Sequence, residues 1–208
     1  MKRLKCLASL LLFTLVTPGV LAVPLADTRA PDVIVEETTR HILSSLIDRN
    51  DEFTQYPERL RELVNDDMLP LIDTEYSARL ILGRAGREAT PEQVSAFAVA
   101  MSETLLNRYT EGLLEIDANR QVEVLPLKGK NTEKLTRVRT RLTLDSGSQV
   151  PIDFAFRKTD LGWKAFDITI EGISYVMTYR NQISPLVMSE GIDKVTADLR
   201  EGNISLEE

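Results

Sequence analysis

The sequence predicts an α+β fold: a curved antiparallel sheet with packed helices. Three observations carry this. Helical periodicity fills the chain to about residue 116, and strand periodicity follows from about 121 to 170. Helices first and strands later argue for α+β rather than alternating α/β. Next, Val150, Ile152, Phe154 and Phe156 alternate with Asp153 and Arg157, the period-2 pattern of a half-buried strand. Finally, Thr159-Asp160-Leu161-Gly162 supplies turn chemistry between that strand and a second one. In the second strand Phe166, Ile168 and Ile170 share one face; Trp163, Ala165, Asp167 and Thr169 share the other.

The N-terminus reads as a targeting segment. Met1-Lys2-Arg3-Leu4-Lys5 is basic, Cys6 to Val16 is apolar, and Thr17-Pro18-Gly19 breaks the run before Val20-Leu21-Ala22. This is the pattern of a cleaved export signal over residues 1–22, with an alternative cut after Ala26. The apolar run is shorter than the roughly 20 residues a membrane span needs. Cys6, the single cysteine, leaves with the leader, so the mature protein is expected to have no thiols. Loss of Lys2, Arg3 and Lys5 takes the formal charge from −7 to −10. So acidic a chain is not expected to bind nucleic acid or to rest unaided on anionic lipid. The 208 residues fit one compact unit, expected over 23–208 after cleavage.

Pro31 to Asn50 is predicted as the first helix, with Val33, Ile34, Val35, Ile42, Leu43, Leu46 and Ile47 in its apolar stripe. His41, the only histidine, lies in its polar part with no ligand partner at helical spacing, and is read as a solvated residue. A helix from Pro57 buries Leu60, Leu63, Val64 and Met68 and stops at Pro70. Within it Asp66-Asp67 point apart and are read as capping or surface groups rather than a cation site. A short helix from Asp73-Thr74-Glu75 closes at Gly83, and Gly83-Arg84-Ala85-Gly86-Arg87 is predicted as a basic loop without P-loop spacing. Thr90-Pro91-Glu92-Gln93 is a capping box that opens a long helix to about Glu115. Val94, Phe97, Ala98, Met101, Leu105, Tyr109 and Leu113 form its apolar face.

Gln121–Leu127 and Leu135–Leu144 read as strands around the Gly129-Lys130-Asn131 turn. Arg137, Arg139 and Arg141 alternate with Val138, Thr140 and Leu142; such a row could bind phosphate, but alternation opposite the core favours a solvated outer face. After the hairpin, Glu171-Gly172 ends the sheet and an amphipathic helix carries Ile173, Tyr175, Val176, Met177, Tyr179 and Arg180. Two helical pieces follow, around Pro185–Met188 and Gly191–Arg200, so the C-terminal helices are expected over about 173–201.

Several stretches together resemble the MlaC/Ttg2D family. They are Val150-Pro151-Ile152-Asp153, the Gly162-Trp163 turn, the run Phe166 to Ser174, Tyr179-Arg180-Asn181-Gln182, and the capping-box helix with its phenylalanine, leucines and tyrosine. The resemblance covers nearly the whole mature chain. The usual aromatic of the Gly83–Arg87 loop is missing here. The resemblance implies an NTF2-like sheet with an added helical lobe, enclosing an apolar lipid cavity. It implies a periplasmic carrier of diacyl phospholipid, serving an inner-membrane Mla ABC transporter with its substrate-binding subunit and an outer-membrane lipoprotein-porin complex. No cofactor, metal or nucleic acid is implied; the bound lipid is cargo. The implied lining combines Leu105 and Tyr109 of the long helix with Val150, Ile152, Phe154, Phe156, Phe166, Ile168 and Ile170 of the strands. Tyr175, Met177 and Tyr179 of the following helix complete it.

The residues themselves leave two further readings open. HExxH, GxSxG, Walker A and GxGxxG are all absent. A small isomerase or hydrolase would have to use Asp153, Asp167 or His41 as base. A ligand-free interaction protein would pack the same apolar residues into a solid core. The pattern of apolar faces alone does not separate a core from a pocket.

Overall fold

A computed structural model describes residues 27–115, 121–127, 132–144 and 146–207; the leader and the Gly129-Lys130-Asn131 turn lie outside the described residues. Pro31 starts α1 (Pro31–Asp48) as its missing N–H permits. The first helix does not run on to Asn50. Arg49 leaves helical geometry, and a separate α2 (Asn50–Gln55) follows. Then α3 (Pro57–Leu63) passes into a π-helical turn, Val64–Met68, and a 3₁₀ turn, Leu69–Leu71, that contains Pro70. Asp73 caps α4 (Thr74–Leu82) by accepting from the Tyr76 N–H.

The expected basic loop is in part a helical turn, α5 (Ala85–Glu88). Gly86 makes this possible, because a Cβ there would lie 2.5 Å from the Arg79 carbonyl oxygen. The capping box forms as expected: Thr90 accepts from the Gln93 N–H and the Gln93 side chain accepts from the Thr90 N–H. It opens α6 (Pro91–Tyr109), and a 3₁₀ turn, Glu111–Glu115, completes the stretch read as one helix.

The strands β1 (Val122–Val124), β2 (Leu135–Thr143), β3 (Gln149–Thr159), β4 (Gly162–Ile170) and β5 (Ile173–Ser174) form one sheet. Their spatial order is their chain order, and every pairing is antiparallel. The expected α+β class is therefore the observed one. The β4–β5 connection is the two residues Glu171 and Gly172, both at positive φ, the geometry of a tight hairpin turn. Beyond it lies α7 (Tyr175–Glu190), a single helix that runs through Pro185 rather than restarting there. Proline removes one ladder bond, and the buried row Val176, Tyr179, Ile183 and Val187 holds the helix on both sides of it. The last helix is α8 (Ile192–Arg200).

The apolar side chains do not merge into one core. One cluster joins α4, α6, α7 and α8 around Leu82, Phe97, Met101, Tyr179, Ile183 and Leu199. A second joins α1, α2 and α3 through Ile42, Leu46, Phe53, Leu60 and Leu63. A third seats Ile34 and Val35 of α1 on Val138 and Phe156 of the sheet. Domains commonly hold one contiguous core with small satellites; among the described residues there are three separate clusters.

Gly162 anchors the N-terminal segment to the sheet. Asp27 donates its N–H to the Leu161 carbonyl at 2.9 Å. A Cβ on Gly162 would lie 2.0 Å from the Asp27 carbonyl oxygen, and its φ of +104° also excludes a side chain. Gly162→Ala is expected to lower unfolding free energy by about 2 kcal/mol or more, measured by urea denaturation. An unchanged midpoint would show that residue 27 is not held there.

Candidate functional site

The site begins with the pleat. On one face, Val150 stands opposite Leu142, Ile152 opposite Thr140 and Ile170, and Phe154 opposite Val138 and Ile168. Val122 and Val124 of β1 extend the same face past Leu142 and Thr140. The arginines fall on the other side, as the alternation predicts. Arg137 meets Asp153 at 3.4 Å, and Arg141 meets Glu123 at 3.9 Å.

A β-bulge alters the second strand. Phe156 pairs with Ala165 and Ala155 with Asp167, leaving Phe166 as the extra residue. Strict alternation places Trp163 and Ala165 with Asp167. The bulge instead brings both onto the Phe156 side, where they pack against the α1–sheet cluster. The Phe166 ring meets Tyr76 of α4 edge-on, with centroids 5.1 Å apart.

Coverage of the apolar face is uneven. Phe156 is 2% exposed beneath α1. Phe154 is half-buried at the margin of that cluster. Val150, Ile152, Ile168 and Ile170 are half-buried and belong to none of the three clusters. Here neighbouring apolar residues from two adjacent strands, β3 and β4, stay partly open. Among the helical residues, Leu105 is half-buried on the lobe's core. Half-buried Tyr109 places its hydroxyl 2.8 Å from that of Tyr179, which is itself 3% exposed. Tyr175 packs edge-on against the Tyr179 ring with centroids 5.9 Å apart. Met177 lies on the outer side of α7, 48% exposed.

The structure therefore gathers Val150, Ile152, Phe154, Ile168 and Ile170 on one open face. It places Phe156 and Tyr179 in closed packing, Phe166 beside α4, and Met177 towards solvent. Leu142, Val122 and Val124 also join the face, beyond the lining that the sequence predicts. Their signal was available for Leu142, because it alternates with the three arginines.

The candidate bases are held apart. Asp167 accepts from the Ser174 hydroxyl at 2.7 Å and the Val176 N–H at 3.0 Å, while Ser174 caps α7 by accepting from the Met177 N–H. Asp153 is paired with Arg137, and exposed His41 lies 3.1 Å from Asp67. Each has a structural partner on a different element, and Asp153 stands opposite Thr169 rather than Asp167. Among the described residues no group of three or more His, Cys, Asp or Glu is placed to hold a metal ion. No described helix is long and apolar enough to cross a membrane.

Fold and face define a class of protein: an antiparallel meander with a helical lobe and a partly uncovered apolar sheet face. The structure of a phospholipid-binding protein from Ralstonia solanacearum, solved in complex with a phospholipid, has this fold. It aligns with a TM-score of 0.71 and 23% identity, covering 82% of this chain and 99% of that one. The chain belongs to the MlaC protein family, whose model matches residues 36–201. It is 25% identical to toluene tolerance protein Ttg2D of Pseudomonas putida over 175 residues, 83% of this chain and 80% of that protein. It is 23% identical to the intermembrane phospholipid transport system binding protein MlaC of Haemophilus influenzae over 203 residues, 96% of this chain and 94% of the relative.

Asp167 gives a direct test of the structural reading of that carboxylate. Asp167→Ala removes both acceptors at the start of α7 and is expected to cost about 2 kcal/mol of stability. Equilibrium denaturation measures it. Unchanged stability would show that the carboxylate serves something other than the helix start.

Proposed function

We propose that this chain is a periplasmic phospholipid carrier that binds diacyl phospholipid by its acyl chains. It shuttles lipid between an outer-membrane lipoprotein-porin complex and the substrate-binding subunit of an inner-membrane ABC transporter, and so maintains outer-membrane lipid asymmetry. It acts as one unit over 23–208, with the leader delivering it to the periplasm. It catalyses no covalent step and needs no cofactor. Its ATP requirement is met by the transporter.

The observation that carries this reading is the half-buried row Val150, Ile152, Ile168 and Ile170, which completes none of the apolar clusters. Family membership and the phospholipid named for the relatives support it. In this reading Phe154, Leu105, Tyr109 and Tyr175 border the acyl chains. Phe156 and Tyr179 are the closed packing behind them.

The energetics suit a carrier. Burial contributes about 0.8 kcal/mol per methylene. Two chains of about 16 carbons then gain about 25 kcal/mol relative to water. A bilayer offers the same gain, so the carrier must match the bilayer closely to load and to release. Apolar walls and a solvent-exposed headgroup meet that condition without a dedicated headgroup site.

The test is mass spectrometry of solvent extracts from purified wild-type and Ile170→Asp protein, with circular dichroism on both. Wild type is expected to carry phospholipid near one molecule per chain. The variant is expected to fold, because water reaches the carboxylate once the lipid is gone, and to arrive without lipid. In a solid core the same change buries an unpaired carboxylate at several kcal/mol, and the protein would fail to fold. A folded variant with its full lipid complement would contradict the proposed lining.

A further inference from the structure

The Tyr179-Arg180-Asn181-Gln182 run is only partly used by lipid binding. Tyr179 turns into the lobe's core, whereas Arg180 and Asn181 do not. They line an open groove of about 490 Å³ on the solvent side of α7, with Ser184, Pro185, Met188 and Ser189. Along this helix, Met177, Asn181, Ser184 and Met188 follow a 4-3-4 spacing that puts them on one face. Met188 is 77% exposed, and Ile173, just before the helix, is 62% exposed. Met188 is thus a large apolar side chain exposed in the groove itself, and Met177 is exposed on the same helix face.

Arg180 is the second feature. It is half-buried, yet its guanidinium makes no hydrogen bond or ion pair with any described residue. The chain is rich in carboxylates, with 32 acidic against 25 basic residues, and Arg29, Arg49, Arg59 and Arg84 each meet one. Gly83 makes room for the guanidinium. A Cβ there would lie 3.2 Å from both the Arg180 Nε and the Ser184 Oγ. The planar, always charged guanidinium is suited to a two-point grip on a carboxylate, and the gain is larger where water is partly excluded.

We propose that this face of α7 docks a partner protein that places an Asp or Glu side chain on Arg180, with apolar contacts to Met177 and Met188. Arginine and methionine are enriched at protein interfaces, and methionine adapts to irregular partner surfaces. A protein fits better than a bilayer, since a chain of net charge −7 is repelled by an anionic lipid surface. The proposal rests on the carrier reading, in which a membrane complex must recognise the loaded protein.

The experiment uses the full chain expressed in its own cells, with a photoreactive benzoylphenylalanine at Ser184 or, separately, at Met188. Both positions are expected to crosslink to the same protein, at a segment containing an Asp or Glu. Arg180→Glu is expected to reduce the adduct about tenfold or more, as for a lost charge-assisted contact. Reversing the mapped acid to Lys in the partner is expected to restore it. Met188→Asp, at a position too exposed to disturb folding, is expected to weaken the adduct formed from Ser184. Adducts unaffected by either change, or no protein adduct from either position, would overturn the proposal. So would crosslinks to lipid alone, accompanied by Arg180-dependent sedimentation with phosphatidylglycerol vesicles. Lipid content and melting temperature of the same preparations keep the two readings apart. Lipid present with an unchanged adduct defeats the docking surface alone; lipid absent from wild type defeats the carrier reading.

Discussion

The arrangement of sheet and lobe depends on hydrogen bonds along β4 from Ala165 to Asp167. The Asp73 N–H donates to the Ala165 carbonyl at 2.7 Å, and the Ser77 hydroxyl donates to the Phe166 carbonyl at 2.8 Å. The Asp167 carboxylate accepts from Ser174 and from the first turn of α7. Two helices of the lobe are thus tied to one strand mainly by directional polar contacts, with the Tyr76–Phe166 ring pair beside them. Such contacts fix position without consuming the apolar face of the sheet. If the lobe were joined by apolar packing across that face, Ile152, Ile168 and Ile170 would be core residues. The bulge at Phe166 belongs to the same device, because it re-aims the strand where α4 arrives.

This division gives the proposed carrier its physical logic. The lobe has its own buried cluster, so stability does not have to come from the open face. The sheet end beneath α1 is closed by Phe156 and Val138. What remains between is apolar and half-buried, which in the proposed reading suits chains that must leave as readily as they enter. The groove on the outer side of α7 is independent of that face. A partner seated on α7 would hold the helix whose first turn is tied to β4 by Asp167, which offers a short physical route between docking and the proposed lipid face.

Much of the fold was legible in the sequence because local chemistry specified it. The Thr90–Gln93 box, the Asp160-Leu161 turn and the alternation in β2 and β3 all appear where the residues place them. What was not legible depended on tertiary contacts. Alternation alone cannot reveal the bulge that moved Trp163 and Ala165 across the sheet. Pro185 reads as a break, yet buried residues on both sides carry α7 through it. For the site, the pattern identified apolar faces but could not divide them between closed and open. Phe156 and Ile152 look alike in the sequence, and only α1 separates them.

The central claim is that phospholipid occupies the open sheet face. Photocrosslinking reads this out, with a photoreactive residue at Tyr109, Phe154 or Ile170 of the full chain and at Val99, exposed on α6, as control. The account predicts adducts of phospholipid mass from the sheet positions and from Tyr109, and none from Val99. Absence of lipid adducts at all three site positions, in protein shown to be folded, would contradict it.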